Sequence, residues 1–195
     1  MTTPNKTEKH GSVIVTGGGR GIGAAVSRLV GAHGYPVAVN FIKDETAAAA
    51  VVRDIVSAGG HAIAVQGNVG REEDILRLFE TAERELGPIE GLVNNAAVTG
   101  GFARVRDLTA SALAEVLTIN IAGAMLCARE AVRRMSIKSG GTGGTIVNIS
   151  SIAAGTGAPG EWVHYRNWSS RRQWRARPPA AFGVVHPHAA SRHRN

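Results

Sequence analysis

Ser12-Val13-Ile14-Val15-Thr16-Gly17-Gly18-Gly19-Arg20-Gly21-Ile22-Gly23 decides how the rest of this chain is read. Val13-Ile14-Val15 is a β-branched run of the length of a buried strand. It enters a glycine cluster, and Ala24, Ala25, Val26, Arg28 and Leu29 then suit a helix. Strand, glycine turn and helix in that order form the context that gives such glycines a meaning. Gly17 permits a sharp turn out of the strand. Gly21 lets backbone approach a pyrophosphate with no Cβ between, and Gly23 lets the new helix pack on the strand. The free N–H groups and the positive dipole end of that helix would then face the phosphates. The spacing Gly17-x3-Gly21-x-Gly23 on its own leaves a purely structural turn as an alternative.

Outward from this turn, strands and helices alternate. Tyr35 to Phe41 reads as a second strand, and Asp44 to Ala58 as a helix closed by Gly59-Gly60. His61 to Gln66 reads as a third strand. Arg71 to Leu86 is an amphipathic helix with Ile75, Leu78, Phe79 and Ala82 on one face, stopped by Gly87-Pro88. Gly91 to Asn94 is a short fourth strand. Leu108 to Met135 is mostly helical, broken near Gly123 or running through it, and Thr145 to Ser150 is a fifth strand. This order predicts βαβ units and a doubly wound parallel α/β sheet, with the ligand crevice at the carboxyl ends of the strands.

The chain has 195 residues and is 44% hydrophobic, which fits one globular domain. No uninterrupted apolar run approaches the roughly 18 residues of a membrane span, and the start of the chain lacks the apolar stretch of a secretory signal. A cytoplasmic location is the resulting expectation. The single cysteine, Cys127, excludes a disulfide framework and cysteine metal sites; it reads as a packed thiol on an alanine-rich helix. The formal charge of +7 is unevenly placed. Residues 1–165 hold all 15 acidic residues and 15 of the 22 basic ones, so the excess lies in residues 166–195, in seven arginines. A basic tail of this kind admits a nucleic-acid partner.

In a sheet of this type the end of the second strand meets the adenosine ribose, and a carboxylate there favours NAD. Here the strand ends Val39-Asn40-Phe41-Ile42-Lys43, and Asp44 and Glu45 read as the start of the next helix. With Arg20 in the glycine turn and Lys43 after the strand, the pattern favours NADP(H) over NAD(H). A solvated loop charge is the alternative for Lys43.

Further motifs follow in order: Leu92-Val-Asn94-Asn95-Ala96-Ala97, Asn68-Val69, Thr118-Ile-Asn120-Ile-Ala-Gly123, Gly144-Thr-Ile-Val-Asn-Ile-Ser150-Ser151 and Tyr165. With the glycine turn, they resemble the short-chain dehydrogenase/reductase family over residues 12–165. Within it the stretch from Ser150 to Tyr165 is similar to a sugar-dehydrogenase-like subgroup. Ala97 stands where the family has Gly, and Asn68 where it has Asp beside the adenine. The resemblance implies a Rossmann-type domain over residues 1–165. It implies an NAD(P)-dependent oxidoreductase that moves hydride to or from an alcohol or carbonyl substrate. It also implies cofactor contacts at Gly17, Gly19, Arg20, Gly21, Ile22, Gly23, Asn40, Asn68, Val69, Asn94, Ala96 and Tyr165. Tyr165 would exchange the proton, Ser151 would hold the substrate oxygen, and Asn120 would hold a water in a proton relay. Read without the family, Asn120 is equally a buried helix Asn bonded to backbone, and Ser150 and Ser151 a strand end. The family forms homo-oligomers through the long helix near residues 110–135 and the helix after Tyr165; only the first is legible here.

After Tyr165 the pattern breaks. Four residues on stands Ser169, where the family has the lysine that lowers the tyrosine pKa from its ordinary value near 10. Residues 166–195 carry seven Arg, two Trp, three Pro and three His, with no helical apolar stripe. They are expected to form an atypical, disordered tail and no sixth strand, leaving the sheet incomplete and the edge of the fifth strand exposed. An out-of-frame reading of a GC-rich gene just after codon 165 accounts for all of these departures together. The chain would then be a cofactor-binding remnant with impaired turnover; a basic-tailed nucleic-acid binder is the more distant reading.

Overall fold

The computed structural model describes residues 10–101, 104–151 and 182–185. The strands are β1 (Ser12–Val15), β2 (Val37–Phe41), β3 (Ala62–Gln66), β4 (Ile89–Asn94), β5 (Thr145–Ile149) and β6 (Phe182–Val185). The helices are α1 (Gly21–Ala32), α2 (Glu45–Ser57), α3 (Glu72–Leu86), α4 (Ala110–Val116) and α5 (Ala124–Met135), with a π-helical turn, Leu117–Gly123, joining the last two. The strands form one sheet in the order β3-β2-β1-β4-β5-β6. All neighbours are parallel. This is the doubly wound α/β sheet predicted from the alternation of elements.

Alternation along β1 shows why the sheet is covered twice. Ile14 points into one core with Leu78, Phe79, Leu92, Cys127 and Ala131, beneath α3 and α5. Val13 and Val15 point into the other, with Ala24, Val39, Val51 and Ile55 beneath α1 and α2. A strand buried on both faces must be apolar throughout, which is why β1 and β2 read as continuous runs rather than alternating ones. The chain winds outward from β1 to β3, then returns to β4 on the other side. The switch point therefore lies between β1 and β4, where a crevice opens at the carboxyl ends of the strands.

Two expectations need correction. A sixth strand exists: Phe182–Val185 pairs in parallel with β5, in register from Ile146 with Phe182 to Ile149 with Val185. An unpaired β5 edge is a template for any short apolar run, and this run was hidden in an arginine- and proline-rich stretch. The β5 edge is therefore paired rather than exposed. The second concerns Ala110–Met135, a continuous helix that is long and apolar enough to cross a membrane by length and composition alone. Ser111, Thr118 and Asn120 interrupt its apolar runs, which is why counting uninterrupted runs passed it over. In this fold Val116, Ile119, Cys127 and Ala131 of that helix are buried. It runs through Gly123 rather than breaking there.

Candidate functional site

The glycine turn sits at the switch point. Gly21 has φ +52° and nothing within 4 Å of where its Cβ would stand, so its outer side is open. Gly23 is the opposite case: a Cβ there would lie 2.3 Å from Gly17 O and 2.5 Å from Asn95 Nδ2. Helix α1 begins at Gly21 after Arg20, with no side-chain cap and no acidic residue in its first turn. By contrast, Asp44 caps α2 by accepting from Ala47 N at 2.9 Å, and the first turn of α3 holds Glu72, Glu73 and Asp74. The first N–H groups of a helix have no intrahelical partner. α3 also lacks a side-chain cap, but α1 alone among these three has neither a cap nor an acidic first turn, and the exposed Arg20 adds charge of the sign that fits an anion. A pyrophosphate fits these residues.

Hydrogen bonds fix the turn from the β4 side. Thr16 Oγ1 accepts from Asn95 N and Ala96 N, both at 3.0 Å, and donates to Val93 O at 3.3 Å. Asn95 Nδ2 donates to Thr16 O at 2.9 Å and to Gly17 O at 3.1 Å. Neither Thr16 nor Asn95 stood among the expected site residues. Their partners are about eighty positions away in the chain, so only their place in the motifs hinted at them.

Asn94 is buried at the end of β4, where its Nδ2 donates to Ala124 O at 3.1 Å and to Asn148 Oδ1 at 3.0 Å. Its Oδ1 is buried without a partner. Asn40 is buried at 1% exposure, and its amide bonds Gly17 N, Val65 O and Gly67 O. Lys43 is exposed after β2.

Asn68 follows β3. Its N–H donates to Asp74 Oδ2 and its Oδ1 accepts from Gly70 N, both at 2.9 Å. The Asn68 N–H, with Arg77 beside it, holds the Asp74 carboxyl below the usual carboxylate range against the opposing effect of burial. Val69 is buried, and Gly123 of the π turn packs so closely that a Cβ there would lie 2.5 Å from Val69 O.

Asn120 is 1% exposed and fully engaged with the loop after β4. Its Nδ2 donates to Val98 O at 2.8 Å and its Oδ1 accepts from Val98 N at 2.9 Å. Its side chain is thus bonded to backbone, as the buried-Asn alternative describes. Ser151 lies half-buried just beyond β5. Tyr165 and Ser169 lie outside the described residues. The structure thus brings the glycine turn, Asn68-Val69, Asn94 to Ala96, Asn120 and Ser151 to the carboxyl edge of one sheet.

Cys127 is buried on α5, and burial, with the Glu130 charge nearby, pushes its thiol up to about 12. It is inert, as its alanine-rich surroundings predicted. An open cleft of about 550 Å³ lies at the other end of the sheet, lined by Leu29, His33, Tyr35, Glu90 and Thr145. It is not the crevice of the glycine turn.

Residues 11–166 match the family model described as short chain dehydrogenase. The match ends within one residue of the point where the composition changes. The chain is 43% identical over 152 residues to the uncharacterized oxidoreductase YgfF of Escherichia coli, covering 78% of this chain and 62% of that protein. It is 38% identical over 148 residues to a 3-oxoacyl-[acyl-carrier-protein] reductase of Synechocystis, covering 76% of this chain and 58% of that one. Among solved structures, a short-chain dehydrogenase from Burkholderia cenocepacia in complex with NADP superposes with a TM-score of 0.76 at 27% identity. That superposition covers 85% of this chain and 65% of that one. The chain spans less than two thirds of the length of these relatives.

Proposed function

This chain belongs to the short-chain dehydrogenase family, and on that premise we propose that it is an NAD(P)-dependent oxidoreductase acting on a small alcohol or carbonyl substrate. The observation that carries this reading is the uncapped, acid-free start of α1 at the switch point of the sheet. The N–H groups from Gly19 to Ile22 would hold the pyrophosphate, with Gly17 and Gly23 shaping the turn. Asn68 and Val69 would meet the adenine, and Asn94 and Ala96 would flank the cofactor on the β4 side. When bound, a nicotinamide supplies or takes the hydride. Ser151 would donate to the substrate oxygen, and Tyr165 would give that oxygen a proton during reduction and take it back during oxidation.

NADP(H) is the favoured cofactor. Asp44, the first carboxylate after β2, is committed to capping α2 and is a poor partner for a ribose hydroxyl. Arg20 and Lys43 are exposed and free to meet a 2′-phosphate. The relative from Burkholderia cenocepacia, solved with NADP, supports the same choice.

Proton transfer is the weak point. A phenol with a pKa near 10 needs a cation to act at neutral pH, and Ser169 occupies the lysine position. The second reading is therefore a cofactor-binding chain with impaired turnover. Titration of nicotinamide fluorescence with NADPH and NADH tests the first half of the proposal, and absence of binding sinks it. Turnover on a panel of ketones and alcohols, compared with Ser151→Ala and Tyr165→Phe, tests the second half. Binding without turnover in the unsubstituted chain selects the impaired reading. A frame change after codon 165 is part of the proposal, and alternative frames that restore no Tyr-x-x-x-Lys helix would refute it. The tail residues 166–195 are proposed as its product, and salt-sensitive DNA binding lost on their removal would count against that.

A further inference from the structure

We propose that Asn40 is a positioning residue for the dinucleotide turn, and that it sets affinity for the whole cofactor without choosing between NADP(H) and NAD(H). The inference rests on the cofactor-binding half of the function proposed above. Asn40 is the last residue but one of β2, the strand between β1 and β3, where residue type and position alone suggest a ligand of the ribose. Its side chain is turned to other use. Oδ1 accepts from Gly17 N at 3.2 Å, while Nδ2 donates to Gly67 O at 2.9 Å and to Val65 O at 3.3 Å. Its main-chain O accepts from Gly18 N at 2.8 Å. Both amide hydrogens are spent, and the residue is 1% exposed.

One carboxamide thus links the first residue of the glycine turn to the exit of β3, across the strand between them. Thr16 and Asn95 hold the turn from the β4 side; Asn40 holds it from the β2 side. Two consecutive N–H groups, of Gly17 and Gly18, are directed sideways into the sheet by this one residue. The next N–H groups along are those that would meet phosphate. An aspartate keeps an acceptor for Gly17 N but places a second carboxylate oxygen against the carbonyls of Val65 and Gly67. An alanine leaves the part-buried Gly17 N–H without its acceptor, so nothing on the β2 side then fixes its direction.

Dissociation constants for NADPH and NADH are to be measured for the full chain and for Asn40→Ala and Asn40→Asp, well below each variant's melting temperature. Both substitutions are expected to weaken both cofactors at least about tenfold, and in Asn40→Ala, which adds no charge, the NADPH/NADH ratio stays unchanged within about twofold. A ratio that changes more than about threefold in Asn40→Ala makes Asn40 a direct ligand of the 2′ position and overturns the proposal. Unchanged constants in a less stable protein make it merely structural and overturn it equally. Amide exchange of Gly17 in the cofactor-free chain supplies a readout that does not depend on the proposed function. It is expected to accelerate in Asn40→Ala selectively over Val39, and equal acceleration at both refutes the positioning role. If the unsubstituted chain binds neither cofactor, the functional reading falls while the exchange data still decide whether Asn40 holds the turn.

Discussion

Gly23→Ala is the sharpest single perturbation of the cofactor half. The added Cβ would stand 2.3 Å from Gly17 O and 2.5 Å from Asn95 Nδ2. Cβ contacts under 3.0 Å essentially do not occur, so α1 or the turn must move by about 0.7 Å to reach even that limit. Neither side yields easily. Gly17 O is held by Asn95 at 3.1 Å, and Gly23 is buried at the base of α1. Overpacking of this kind costs roughly 1–3 kcal/mol. Losing the bond from Asn95 to Gly17 O adds about 1 kcal/mol. If the cofactor accepts only the undistorted turn, about 2–4 kcal/mol translates into a loss of affinity of roughly 30- to 1,000-fold. Gly59→Ala is the control. It has φ +84° and nothing within 4 Å of its Cβ position, so it bears backbone strain of about 1 kcal/mol far from the turn. NADPH fluorescence titration and thermal melts of the three proteins separate the two effects. Gly23→Ala binding NADPH within threefold of the parent chain would refute the packing argument, as would Gly59→Ala losing affinity.

Glu130 on α5 is 2% exposed and meets Arg134 at 2.7 Å, Arg133 at 2.8 Å and Arg129 at 3.0 Å. Arg134 and Arg129 also reach Glu83 and Glu72 of α3, so the cluster pins α5 to α3. Breaking a fully buried pair costs about 3–5 kcal/mol. Because Arg133 is largely solvated, Glu130→Ala is expected to cost about 2–3 kcal/mol in urea denaturation, and a loss below about 0.5 kcal/mol would show the cluster to be self-cancelling. Acid should expose the same feature. Burial opposes the Glu130 charge, but Arg134 and Arg129 outweigh it and hold the carboxyl below its usual value; Asp74 is lowered too, chiefly by the Asn68 N–H. Each therefore contributes stability that is fully present above the unfolded carboxylate range near 4 and is lost as pH falls through its lower folded value. Urea midpoints should fall with pH in that acid window, and Glu130→Gln with Asp74→Asn should flatten the slope; an unchanged slope would remove these two groups from the account.

What the sequence discloses and what it conceals divide along a physical line. Strands β1 and β2 were legible because burial on both faces leaves a continuous apolar imprint, as in Val13-Ile14-Val15; β3 and β5 are only partly buried and were legible as short apolar runs that follow glycines. Strand β6 was not, because pairing of Phe182–Val185 depends on the β5 edge and not on its own surroundings in the chain. The π-helical turn at Leu117–Gly123 leaves no local imprint either. The site residues follow the same division. Glycine positions are legible through backbone geometry. The partners of Thr16 and Asn95 are set by the sheet order, which places β1 beside β4.

Four of the asparagines at the carboxyl edge show why position alone misleads. Asn40 joins the turn after β1 to the exit of β3. Asn94 joins β4 to β5 and α5. Asn95 joins the β4 exit to the glycine turn. Asn120 joins the π turn to the loop after β4. Where parallel strands stop together, each leaves backbone N–H or C=O groups with no further rung to pair. A carboxamide offers donor and acceptor on one plane and so can close two such ends at once. It does so without fixed charge. A carboxylate at Asn40 or Asn95 would face carbonyl oxygens and would repel a pyrophosphate beside it. The edge proposed to receive a dianion is thus closed by neutral amides, while acidic residues cap α2 and stand in the first turn of α3. That separation of amide from carboxylate agrees with the uncapped start of α1, and together they make this end of the sheet ready for an anion.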